Sequence, residues 1–154
     1  MSVTVGAKVP DFTLPATGGE PLRLKSLLGG AVVLYFYPRD NTPGCTLEGQ
    51  QFAALNARFK KAGVTVFGVS RDSLASHQKF RDKMGYPFAL LSDEDERVCK
   101  LFDVIREKNM YGRKVLGIER STFLIDAKGV LRREWRKVKV EGHALEVLEA
   151  AQSL

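Results

Sequence analysis

Two apolar runs, AVVLYFY (Ala31–Tyr37) and VTVFGVS (Val64–Ser70), constrain the fold of this chain more than any other feature. Both are rich in β-branched and aromatic residues, and neither alternates with polar positions over its length. Runs of this kind read as strands buried on both faces of a sheet, so other elements must cover both sides. Between them Phe52, Leu55, Phe59 and Ala62 recur at helical spacing, and Gly63 stops the pattern. A helix is predicted to begin near Pro43–Cys45. Thr42 is its N-cap, and Pro43 takes the first helical position, which suits its fixed φ.

Upstream, FTLPATGGEPLRLKSLLG reads as two short strands around a turn centred on Gly19, then a helical turn at Ser26–Leu28. Downstream, residues 73–84 are predicted to be a helix with Leu74 and Phe80 inward. FALLSD is a third strand, and DEDERVCKLFDV a helix whose acidic first turn suits its dipole. Residues 105–119 carry no clear pattern. STFLIDAKGVLRREW reads as a β-hairpin turning at Asp126–Gly129, and an amphipathic helix from about Gly142 to Ala151 closes the chain, with Leu145, Leu148 and Ala151 on one side. The expected fold class is α/β, a central mixed β-sheet flanked by helices on both faces. No repeat or linker divides it, and 154 residues suit a single domain spanning 1–154.

Composition narrows the function classes. Apolar residues make up 44% and charged residues 27%, which excludes a disordered chain. Cys45 and Cys99 are the two cysteines, too few for a disulfide-stapled secreted domain. The start MSVTVGAKVPDFTLP has no basic segment followed by an apolar run, and no stretch approaches a membrane span. Cytoplasmic placement, without a membrane partner, is the expectation. The net charge of +6 permits contact with nucleic acid, and RREWRKVKV (132–140) is the densest basic run, with Trp135 inside it. A solvated strand face is the simpler reading. Two histidines and two cysteines, all far apart, offer no metal-ligand spacing, and neither GGEPL nor GRKVLG forms a phosphate loop; no metal or cofactor is expected. His77 is placed on a polar helix face and His143 near the start of the last helix.

Chemistry in an open α/β sheet sits beyond the carboxyl end of a central strand. AVVLYFY runs straight into the loop RDNTPGC, which delivers Cys45. A thiol reacts as thiolate, and free N–H groups at a helix N-terminus favour that anion. TPGC has the spacing of a C-x-x-C redox motif, with threonine replacing the first cysteine. A hydroxyl cannot exchange disulfides, so dithiol chemistry within the motif is ruled out. Thr42 can instead orient a small polar oxidant, cap the helix, or do both.

PRDNTPGCTLE, Pro38 to Glu48, resembles the P-x-x-x-T/S-x-x-C signature of the peroxiredoxins, and its TPGCT-x-E form resembles their bacterioferritin-comigratory or Q-type branch. The opening G-x-x-x-P-D-F-T-L-P, the LLSDED segment and the late STFLID strand match in the same order, over nearly the whole chain. The resemblance implies a thioredoxin-like fold and a thiol peroxidase acting on hydrogen peroxide and organic hydroperoxides. Cys45 would be the peroxidatic nucleophile, Thr42 would hydrogen-bond the peroxide and the thiolate, and Pro38 would shield the pocket. Arg120, in GIERSTFLID, would lower the thiolate pKa and stabilise the leaving oxygen. Glu48 would orient that arginine or the loop, or stand as an ordinary first-turn acid.

The sulfenic acid formed on Cys45 needs a second thiol. Relatives of this branch place it five residues on, here Gln50, or about thirty-six on, here Arg81. Cys99 is the remaining internal candidate as resolver. It lies beside the stripe Val98, Leu101, Phe102 and Ile105, with Asp95 and Asp103 a turn away, and reads as a core-edge residue. The expected cycle is therefore one-cysteine, with thioredoxin, glutaredoxin or glutathione as external reductant and local unwinding of the helix eased by Gly44 and Gly49. The branch is commonly monomeric. The alternatives are a basic nucleic-acid-binding protein, or a chaperone-like or peroxide-sensing protein using the same cysteine.

Overall fold

A short antiparallel pair, β1 (Thr13–Leu14) and β2 (Leu22–Arg23), opens the fold and leads into a 3-10 turn at Leu24–Leu27. The computed structural model describes residues 2–154, Met110 for its backbone alone. There follow β3 (Ala31–Phe36), α1 (Pro43–Lys61), β4 (Val64–Ser70), α2 (Leu74–Met84) and β5 (Leu90–Ser92). Then come α3 (Arg97–Leu101), β6 (Ile105–Met110), β7 (Arg113–Ile118), β8 (Ser121–Ile125), β9 (Leu131–Trp135) and α4 (His143–Gln152). Five strands form the central sheet in the order β5-β4-β3-β8-β9. β3, β4 and β5 are parallel, and β8 and β9 run antiparallel to their neighbours.

Side chains alternate across a strand, so one sheet carries two cores. Val32, Leu34 and Phe36 of β3 point to one face, with Phe67, Val69 and Phe123, and are covered by Phe12, Leu14 and Leu24 from the opening segment and by α3. Val33, Tyr35 and Tyr37 point to the other, with Val66 and Leu90, and are covered by α1 and α4. The two buried thiols are divided by this sheet: Cys45 packs in the α1 core and Cys99 in the α3 core.

Register fixes where the site forms. β8 is antiparallel to β3 with Ser121 opposite Phe36, so the residue before β8, Arg120, emerges beside the carboxyl end of β3. That is where the loop to α1 begins.

Several expectations change. Leu74 is exposed, and His77 joins Phe80 as the inward residue of α2. The helix expected over DEDERVCKLFDV contracts to Arg97–Leu101, because Glu96 and Asp103 adopt left-handed backbone at its two ends. The Asp93 carboxylate accepts from the N–H groups of Val98 and Cys99 there. On α4, Leu145 faces solvent while Ala144, Val147, Leu148 and Ala151 are buried. Residues 105–119, without a pattern in sequence, form the β6–β7 hairpin, turning at Tyr111–Gly112 with positive φ at both. Its strands pair only with each other among the described residues, and Tyr111, Val115 and Leu116 are exposed, so no buried face imprinted an alternation.

Candidate active site

Thr42 sits at the N-cap of α1 with extended backbone, yet its side chain caps nothing. Its hydroxyl donates to the Arg39 carbonyl at 2.8 Å, while its own carbonyl accepts from the Thr46 N–H. Cys45 lies in the first turn, 2% exposed. From the residue just before β8, Arg120 points Nη2 at Cys45 Sγ, 3.4 Å away, and Nη1 at Glu48 Oε1, 2.6 Å away. One guanidinium thus joins the thiol to a buried carboxylate on the same helix.

Gly44 and Gly49 have a different use from the flexibility expected of them. A Cβ at Gly44 would stand 3.2 Å from Arg120 Nη2, and one at Gly49 would collide with the Tyr86 ring. Both are close-approach positions. Tyr86 is held there by donating to the Thr46 carbonyl.

Glu48 is 1% exposed, and its Oε2 has no partner among the described residues. Burial raises its carboxyl to about 7, against the opposing pull of the Arg120 charge and hydrogen bond. Burial works against the Arg120 cation, but Glu48 and Cys45 outweigh it and raise its pKa. Glu48 and Arg120 thus form a buried ion pair. Pro38 directly follows Tyr37 at the end of β3, half-buried, and lines a surface cleft with Arg71 and Asp72.

Cys99 corrects its expectation: it lies fully inside the core, not at its edge, and its charged neighbour is Asp93, not Asp95 or Asp103. Burial first, then Asp93, push its thiol far upward. Gln50 is exposed on α1, and Arg81 donates from Nε to the Tyr86 and Phe88 carbonyls, tying down the chain after α2.

Three groups near the site had no signal in the sequence. Asp40, in the loop before Thr42, accepts from Tyr37 and Ser76 and lies 2.7 Å from His77 Nδ1; His77 Nε2 is 2.8 Å from the Leu91 carbonyl. Burial opposes the Asp40 charge, but the His77, Tyr37 and Ser76 bonds outweigh it and hold the carboxyl below its usual range. Asp40, Asp72 and His77 come within 4.8 Å of one another, a grouping unseen in sequence, and their atoms already serve this network. Lys108 is the third: it reaches from β6 to donate to the Ile118 carbonyl, near Arg120. Only a hairpin assignment could have placed it.

The basic residues of the run 132–140 are mostly exposed, as on a solvated strand face, and three of its arginines have partners within the molecule. Arg132 pairs with Asp126, Arg133 lies over Trp135, and Arg136 donates to the Phe102 and Asp103 carbonyls.

A lone thiol at a helix start, faced by an arginine at the end of the central strand of a thioredoxin-like sheet, is the layout of a thiol peroxidase. The chain belongs to the AhpC/TSA family, whose model matches residues 5–134, and within it to the bacterioferritin-comigratory peroxiredoxins. It is 54% identical over 143 residues to peroxiredoxin Bcp of Xanthomonas campestris, covering 93% of this chain and 89% of that one. It is 52% identical over 148 residues to a putative peroxiredoxin bcp of Coxiella burnetii, covering 96% and 98%. A solved structure of the Xanthomonas campestris bacterioferritin comigratory protein, concerned with its alkyl peroxide reduction activity, superposes with TM-score 0.88 at 53% identity, covering 92% of this chain and 90% of that one. No helix among the described residues is long and apolar enough to cross a membrane.

Proposed function

We propose that this chain reduces hydrogen peroxide and organic hydroperoxides through Cys45 alone, with an external thiol completing each cycle. The observation that carries the reading is the Arg120 guanidinium on Cys45 Sγ, with the other thiol of the chain across the sheet. The thiolate attacks the terminal oxygen of R–O–O–H, the O–O bond breaks, and RO⁻ leaves to be protonated. Cys45 becomes the sulfenic acid. Thr42 already donates its proton to the Arg39 carbonyl, so its lone pairs accept the O–H of the peroxide. Arg120 supports charge on sulfur and then on the departing oxygen. Glu48 holds Arg120 in place, and Pro38 shields the pocket from water.

A reductant thiol then condenses with the sulfenic acid, releasing water and leaving a mixed disulfide. A second thiol frees Cys45. Thioredoxin, glutaredoxin and glutathione each supply this chemistry, and a reducing compartment such as the cytoplasm sustains it. The unit acts as one domain over 1–154 and as a monomer. Cys99 takes no part, because reaching Cys45 would require opening both cores. Mass spectrometry after one equivalent of peroxide, without added thiol, should find Cys45 oxidised and no internal bridge; a stable Cys45–Cys99 disulfide would overturn the one-cysteine cycle. Turnover with the three reductants side by side then identifies the physiological class.

A further inference from the structure

We propose that Lys108 is a specificity residue of the Cys45 site, receiving a carboxylate carried by the external thiol during the reductive half of the cycle. The inference rests on the one-cysteine reading.

The position is built. Lys108 stands on β6 opposite Val115, and its stem crosses β7 over Gly117, where a Cβ would lie 3.4 Å from Lys108 Cδ. The absence of a side chain there lets the ammonium reach the Ile118 carbonyl, two residues before Arg120. The amine is half-buried and lies within the fields of both Arg120 and Cys45.

Charge pairing around the site is uneven. Arg120 has Glu48 at 2.6 Å, and Arg71, which also reaches the hairpin at the Leu116 carbonyl, has Glu96 at 2.8 Å. Lys108 has no carboxylate within 4.0 Å among the described residues; Glu107 pairs instead with Lys114, and Glu119 acts on Lys108 only at longer range. An ammonium offers three donors, and a carbonyl uses one. Burial, Arg120 and Arg71 disfavour its charge, and Cys45 is among the groups that favour it.

The balance changes during turnover. With Cys45 as thiolate, the sulfur anion is one of the charges that favour the Lys108 ammonium. Formation of the sulfenic acid removes that anion and leaves Lys108 and Arg120 with one negative charge fewer between them. Attraction for an anion is therefore greatest in the state that must receive the thiol. Partial burial reduces screening there relative to an open surface.

The test measures second-order rate constants for reduction of Cys45 sulfenic acid by mercaptopropionate, mercaptoethanol and cysteamine, each normalised to its rate with a small disulfide. The native chain should prefer the anionic thiol over the neutral one and disfavour the cationic one. In Lys108→Met the anionic-to-neutral ratio should fall roughly fivefold, as for loss of one modest ion pair, and Lys108→Arg should retain it. An unchanged ratio, or an equal fall for all three thiols, overturns the proposal. So does a charge effect confined to oxidation by a carboxylate-bearing hydroperoxide, which assigns Lys108 to the peroxide instead. Sulfenic acid that closes on Cys99 before thiol is added is seen separately, and condemns the one-cysteine reading itself.

Discussion

At Gly44 a methyl group would stand 3.2 Å from the Arg120 guanidinium, and at Gly49 it would enter the ring of Tyr86. The two glycines of this helix start have different consequences. Gly44→Ala should push Arg120 away from Cys45 and lower kcat/KM for peroxide by roughly ten- to a hundredfold, since small displacements of a reacting group are costly. Its urea midpoint should move little. Gly49→Ala is a packing fault and should cost about 1–3 kcal/mol in urea unfolding. Combining it with Tyr86→Ala should cost less than the sum of the single changes, because both act through one contact.

At the scale of elements, two buried titratable groups give opposite pH slopes. Glu48 joins α1 to the start of β8 through Arg120, and burial raises its carboxyl from 4.5 to about 7. The folded state then binds a proton that the unfolded state has released, so this contribution is present below pH ~4.5 and lost as pH rises through ~7. The loss is on the order of 3 kcal/mol, and Glu48→Gln should abolish that part of the pH-stability curve. His143, at the start of α4, is held between Phe52 and Trp135 with Nε2 2.7 Å from Thr122 Oγ1, and burial, with Arg120, lowers its pKa to about 4. Its contribution is present above pH ~6.5 and lost as pH falls through ~4. His143→Gln should flatten that acid limb in the same titration. Neither slope was legible in the sequence. A one-dimensional pattern marks His77 and His143 as polar positions, whereas the partners that allow their burial, Asp40 and Thr122, lie 37 and 21 residues away. Leu145 fails in the opposite way, as an apolar residue on a helix whose neighbours cover the adjacent stripe.

On the scale of the whole molecule, the sheet acts as a partition between the two sulfurs. Cys99→Ala should leave thiol-supported peroxidase turnover unchanged while costing roughly 1–3 kcal/mol of stability through the α3 core, read by parallel kinetics and urea unfolding. Loss of turnover in a folded Cys99→Ala protein would bring Cys99 back into the cycle.

The sequence by itself determined the buried strands Ala31–Phe36 and Val64–Ser70, the start of α1 at Thr42–Pro43 and the cysteine placed in its first turn. These depend on apolar runs, proline geometry and spacing, which are local. Arg120 was found through resemblance, and its pairing with Glu48 stood open. Only the tertiary structure decided that Arg120 meets both Glu48 and Cys45, that Gly44 and Gly49 make room for other side chains, and that Cys99 and Cys45 lie in cores on opposite faces of the sheet. Each depends on the antiparallel register of β8 against β3, or on which face of the sheet a residue occupies. Such relations join positions up to 75 residues apart, and no local pattern encodes them.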